Sequence, residues 1–166
     1  MSTKQGEDSG AKILMLRRQS LDQIIAQAER EYPDECCGFI IGDATGEEVR
    51  PIRNIQNEKH AEEPTRFTRD ARTAFLMDPR EHLQVLKEID ERKLELKFVY
   101  HSHPDHDAYF SATDRAQACS FDPAEPDYPD TAHVVISVRH GKYARAAAFI
   151  WDSGLREFVE AEVATH

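Results

Sequence analysis

His101-Ser102-His103-Pro104, followed by Ser111 and Asp114, is the stretch on which the reading of this chain turns. The run before it, Leu96-Lys97-Phe98-Val99-Tyr100, is rich in strand formers and carries a strand into the histidines. Side chains two residues apart on a strand share a face, so His101 and His103 can converge on one point. After a short loop, Ser111 and Asp114 stand one helical turn apart. Two neutral imidazoles and one carboxylate make a three-ligand zinc site whose fourth position stays open to water, which is the arrangement of catalytic rather than structural zinc. The pattern reads as a hydrolase site. Ser111-x-x-Asp114 also reads as a helix capping box. The two readings coexist, because the first turn of a helix is a rigid mount for Asp114.

The chain around this stretch has 166 residues, enough for one domain with a real core. That domain is expected over residues 11–166, after a polar and disordered tail at 1–10 (MSTKQGEDSG). A formal net charge of −10 and a pI of about 5.2 argue against nucleic acid and anionic membranes as partners. No apolar run approaches a membrane span, and the N-terminus lacks the hydrophobic region of a signal peptide. Cys36, Cys37 and Cys119 are an odd count, and a vicinal Cys36–Cys37 disulfide is unfavourable, so a reduced, cytoplasmic protein is the expectation.

Periodicity gives the rest. Ile13 to Leu16 reads as a first strand. Ser20 with Gln23 reads as a capping box for a helix to about Arg30, whose stripe is Leu21, Ile24, Ile25 and Ala28, and Tyr32-Pro33 ends it. Cys36 to Ile41, closed by Gly42, is a buried strand that pairs with Val49 to Ile55 across the turn at 43–46. The polar stretch 57–65 reads as a loop. Asp78-Pro79 starts a helix with apolar positions Leu83, Val85, Leu86 and Ile89. Ser111 opens a helix to about Ala118, and 122–130 is a proline-rich acidic loop. Strands at 132–138, 143–151 and 155–162 close the chain. Helices mixed with mostly antiparallel strands predict an α/β or α+β sandwich. Trp151 is read as a core anchor, and His60, His82 and His140 as surface residues.

Two metal-site patterns fit the same letters. His101-Ser102-His103-Pro104-Asp105-His106 matches H-x-H-x-D-H and so resembles the metallo-β-lactamase fold, with His133 and His140 as later ligand candidates. The chain has little room for the second half of that two-sheet sandwich. More residues are used by H-x-H, seven residues, S-x-x-D, with Pro33-Asp34-Glu35-Cys36-Cys37-Gly38 and Gly42 upstream as P-x-E-x-C-G-x-x-x-G. In both segments, and in their order, the chain resembles the JAMM (MPN, or JAB-domain) zinc metalloproteases of the small bacterial and archaeal type.

The resemblance implies an α/β/α sandwich of cytidine-deaminase-like fold with a mixed, largely antiparallel sheet. It implies one Zn²⁺ held by His101, His103 and Asp114, with Glu35 handling the attacking water and Ser111 supporting the oxyanion. The implied reaction is hydrolysis of a peptide or isopeptide bond after the Gly-Gly tail of a ubiquitin-like or sulfur-carrier protein. Deaminase chemistry is disfavoured because the H-x-E and P-C-x-x-C zinc signature is missing. Some MPN domains lack ligands and serve as scaffolds, but every ligand position is filled here. Cys36 and Cys37 lack a thiolate-stabilising base nearby and are read as packing residues. The segments 57–69 and 121–131 are expected to wall the cleft, and His106 and Asp107 either line it or face solvent.

Overall fold

Residues 12–166 are described by a computed structural model; the tail expected at 1–10 lies outside the described residues. Seven strands form one sheet: β1 (Ile13–Leu16), β2 (Cys37–Asp43), β3 (Gly46–Ile52), β4 (Glu95–Pro104), β5 (Ala132–Arg139), β6 (Lys142–Asp152) and β7 (Glu157–Thr165). Their spatial order is β1-β7-β6-β5-β4-β2-β3. Only β1–β7 and β4–β5 are parallel, and the other pairs are antiparallel. Helices α1 (Arg18–Glu31), α2 (Gln56–Glu62), α3 (Pro79–Arg92) and α4 (Ala112–Ala118) complete the α/β fold that the motifs imply.

Alternation along β4 separates the two cores. Phe98 and Tyr100 pack with Leu21, Ile24 and Ala28 of α1. Val99 faces the other way and packs with Phe39, Phe75, Met77 and Val85 of α3. His101 and His103 follow Val99 in this alternation and so lie on the α3/α4 side.

Several elements differ from the sequence reading, most of them where a tertiary contact intervenes. No capping box forms at Ser20, because α1 starts at Arg18 and its N-cap is Arg17. The Ser20 hydroxyl instead donates to Glu47 Oε2 at 2.8 Å. The stretch expected as loop contains α2, a helix without an apolar stripe. It is anchored by Asn54, whose Oδ1 accepts from both Gln56 N and Leu76 N at 3.0 Å. On α3, Val85 is buried but Leu83 is 53% exposed. The last strand runs on to Thr165 because β1 pairs with it, Leu16 opposite Thr165. The β5–β6 turn places His140 and Gly141 both at positive φ (51° and 80°), as a two-residue type I′ hairpin requires. Trp151 is half-buried rather than a core anchor, with Phe158 at its edge and Arg115 over its ring.

Gly38 is demanded by close approach. A β-carbon there would stand 2.3 Å from the Tyr100 hydroxyl oxygen and 2.6 Å from the Arg50 carbonyl. Tyr100 cannot swing away, since its hydroxyl donates to Gln27 Oε1 inside the α1 core. Gly38→Ala is therefore expected to cost about 3 kcal/mol through overpacking, or a fall in Tm of about 6–12 °C. An unchanged thermal melt would refute the packing argument.

Candidate active site

Strand pairing brings Glu35 to the histidines. Cys37 stands opposite His101 in the β2–β4 register. One residue on, Ser102 between the two histidines clamps Cys36 twice. Cys36 N donates to Ser102 Oγ at 2.7 Å, and Ser102 N donates to the Cys36 carbonyl at 3.0 Å. Glu35 is the next residue, and its backbone is held on both sides. Its N–H donates to the Ala71 carbonyl at 2.7 Å, and its carbonyl accepts from Asn54 Nδ2 at 2.8 Å.

Asp114 arrives from the other end. Ser111 Oγ accepts from Asp114 N at 3.0 Å, and Asp114 Oδ2 accepts from Ser111 N at 3.0 Å. The capping box is thus formed, and it aims the same carboxylate inward. His101 Nε2, His103 Nε2 and Asp114 Oδ2 make a triangle with every side 3.1 Å. Ligand atoms of Glu35, His101, His103 and Asp114 all lie within 4.8 Å of one another, and all four residues are buried.

This donor set lacks positive charge. His103 Nδ1 lies 2.8 Å from the Asp107 carbonyl, an acceptor only, so that nitrogen carries the proton. The neutral ring then presents the lone pair of Nε2 to an Asp114 oxygen, which is repulsive without a cation between them. Ligands of a tetrahedral zinc at about 2.0–2.1 Å stand about 3.3 Å apart, close to the triangle's side. A divalent ion among two carboxylates and two neutral imidazoles also leaves no net charge in a buried site. The residues present fit such an ion.

The electrostatics agree. Burial, reinforced by the Asp114 charge, pushes the Glu35 carboxyl up to about 9, and Arg69 offsets little of this. Among the described residues, neither Glu35 Oε1 nor His101 Nδ1 has a hydrogen-bond partner. Burial also acts to raise Asp114, but with a proton rather than a metal ion between the ligand atoms, the charge on His101, hydrogen bonds from His101 and His103, and the Ser111 N–H together outweigh it. That carboxyl sits well below the usual range. Burial pushes the Cys36 thiol up to about 12 and Cys37 well above its usual value, in keeping with packing roles.

The structure brings Glu35, His101, His103 and Asp114 together, with Ser111 at the edge. It does not gather the remaining residues of the H-x-H-x-D-H alternative, Asp105 and His106, or its later candidates His133 and His140. The Asp105 carboxylate faces outward and accepts from the Tyr32 hydroxyl and His140 N, and His106 and His140 are exposed. His133 is buried beside Phe110 and Phe158, outside the quartet. His82 is half-buried and meets the Tyr128 hydroxyl at 3.0 Å, and His60 is half-buried against the Phe67 carbonyl, so neither is a plain surface residue. Asp107 is exposed and pairs with Arg139, while its carbonyl orients His103. Two contributors escape a reading by motif. Phe75 stacks on the His101 ring at 4.7 Å, and Asn54 ties Glu35 to the segment 74–76. An asparagine at the junction of a strand and a polar stretch was the only local signal for the latter.

A mixed sheet between helical layers, with this quartet where β2 meets β4, defines a JAB-type domain. The chain belongs to the family described as prokaryotic homologs of the JAB domain, which matches residues 17–150. Among curated relatives, the CysO-cysteine peptidase of Mycobacterium tuberculosis is 28% identical over 127 residues, covering 76% of this chain and 75% of the relative. The desampylase of Haloferax volcanii is 32% identical over 109 residues, 63% of this chain and 72% of the relative. A probable TtuB-protein conjugate cleaving protease of Thermus thermophilus is 32% identical over 106 residues, 64% of each. A solution structure from Desulfitobacterium hafniense matches with TM-score 0.65 and 24% identity over 93% of both chains, which supports the fold. Among the described residues, no helix is long and apolar enough to cross a membrane.

Proposed function

We propose that this protein is a zinc-dependent peptidase or isopeptidase that cuts after the C-terminal Gly-Gly tail of a ubiquitin-like or sulfur-carrier protein. The observation that carries the reading is the buried quartet of two ring nitrogens and two carboxyl groups, whose ligand atoms all lie within 4.8 Å of one another. Relatives named for acting on CysO-cysteine and on TtuB conjugates support the substrate class. Glycine tails suit such a site, because an extended strand threads a narrow cleft only when its side chains are tiny.

His101 and His103 through Nε2, and Asp114 through Oδ2, would hold the ion. When bound, zinc supplies a Lewis acid that polarises the scissile carbonyl and lowers the pKa of water at its open position toward about 7. Glu35, through the carboxylate oxygen that faces the other three residues, takes the proton of the attacking water and passes it to the leaving amine. Ser111 Oγ spends a lone pair on Asp114 N, so its own O–H is free to donate to the carbonyl oxygen as charge builds there. Ser111→Ala is expected to lower kcat by about 10²-fold with metal retained, and to cost about 1 kcal/mol of stability as a lost cap. Loss of the metal in that variant, read by elemental analysis, would instead leave Ser111 a structural role alone.

The direct test is to incubate the purified protein with a sulfur-carrier protein extended beyond Gly-Gly. The expected product ends at the second glycine by mass, a chelator stops its formation, and zinc restores it. Elemental analysis should find one zinc per chain. No cleavage, chelator-insensitive cleavage or two metals per chain would overturn the proposal.

A further inference from the structure

A cavity of about 220 Å³ lies between α3, α4 and the sheet, and His101 and Asp114 form part of its wall. It opens to solvent rather than being an enclosed void, and about 150 Å³ is enough to take benzene. Rings and thioether dominate the lining: Phe39, Phe75, Met77, Phe110 and Tyr128. Phe75 stacks directly on His101, so the cavity adjoins the quartet.

The polar groups at its edge are largely spoken for. His82 Nε2 and the Tyr128 hydroxyl meet at 3.0 Å. Gln117 Nε2 donates to the Phe75 carbonyl, and the Asp127 carboxylate accepts from Ser120 N and Oγ. Besides His101, whose Nδ1 has no partner among the described residues, His133 is an exception. It lines the cavity, is only 7% exposed, and its ring forms no hydrogen bond among the described residues. Among the described residues, no lysine or arginine lines the space, while Asp114 and Asp127 do. An anionic group is repelled there, and a cationic one finds no free carboxylate beyond those already engaged. An apolar body suits it.

We propose that this cavity is the amine-side pocket of the site, taking the bulky apolar side chain, aromatic or branched, of the residue released from the carrier. The inference rests on the function proposed above: an acyl side that ends in glycine has no side chain to place, so the pocket serves the leaving residue. Its volume and ring-lined walls match one such side chain, and the buried His133 ring, packed edge-on against Phe110 and Phe158, adds to the aromatic wall.

The test uses the zinc-loaded full chain and carrier fusions ending Gly-Gly-Xaa, with Xaa as Phe, Leu, Ala, Gly or Asp. Phe and Leu fusions are expected to show kcat/KM on the order of tenfold or more above Gly, and Asp to fall below it. Ala118, on the cavity wall at the end of α4, is the place to fill it. Ala118→Trp should bring the Phe-to-Gly ratio to about one, and Ala118→Leu should lower it partway. A binding readout runs in parallel: p-fluorotoluene should show saturable ¹⁹F line broadening with the wild type that Ala118→Trp removes. Absence of broadening, or equal cleavage of all fusions, or variants that slow every fusion by the same factor, would overturn the pocket while leaving the cleavage reaction intact. Cleavage of no fusion at all, with p-fluorotoluene still bound, would overturn the proposed function and this assignment with it.

Discussion

Replacing Glu35 with Gln is expected to lower turnover of a Gly-Gly-tailed carrier fusion by about 10³-fold, while one zinc per chain is still bound. The two effects separate because of where the side chain stands. One of its carboxylate oxygens lies within 4.8 Å of the ligand atoms of His101, His103 and Asp114, and its Oε1 is buried with no hydrogen-bond partner among the described residues. A glutamine fills the same space and accepts no proton, so water activation and amine protonation both fail. The three atoms of the triangle, and the capping box that aims Asp114, are untouched. Elemental analysis beside a steady-state assay reads both halves. Retained turnover would remove Glu35 from proton transfer, whereas lost zinc would make it a ligand.

The metal-free protein should lose about 3 kcal/mol of stability between pH 6.5 and 9, a fall in Tm of about 6–12 °C. Burial and the Asp114 charge raise the folded Glu35 pKa to about 9 from the 4.5 of the unfolded chain. The folded state therefore keeps a proton that the unfolded chain has released, and the stability present below pH 4.5 drains away as pH climbs to 9. His133 works in the opposite sense and over a different window. Burial and the neighbouring His101 lower it to about 3, so its contribution is complete above 6.5 and is lost as pH falls toward 3. The Cys36 thiol, raised to about 12 from 9, acts only above pH 9. Between 6.5 and 9 the slope belongs to Glu35, and Glu35→Gln should flatten it. Thermal melts in chelator across this range check the prediction; a Gln variant with the wild-type slope would sink it. Added zinc should reverse the trend, since a dication favours the ionised carboxylate.

The parts of the site that were legible in the sequence are those fixed by local geometry. Strand alternation puts His101 and His103 on one face, and a single helical turn joins Ser111 to Asp114. Glu35 became legible only through its motif, because its position depends on the pairing of β2 with β4. No local periodicity encodes that partner. The same limit hid Asn54 and Phe75, whose roles exist only once the segment 69–76 folds over Glu35. Ser20 failed for a related reason. Its hydroxyl found Glu47 of the neighbouring hairpin, and a tertiary acceptor displaced the local cap. The cleft-wall expectation held for one segment in part: Asp127 and Tyr128 line the cavity, while 57–62 is helix. The family match agrees with the sequence reading in disfavouring the H-x-H-x-D-H pattern.

Ser102 touches no substrate in any of these roles, yet its clamp on Cys36 joins positions 66 residues apart. Closing so long a span is a slow, non-local event compared with forming a helix or a hairpin. The quartet comes into being only when that span is shut, so metal uptake by a refolding chain clocks the zippering of β2 onto β4. Fragments that end before His101 should take up no metal at this site, however well their own helices form.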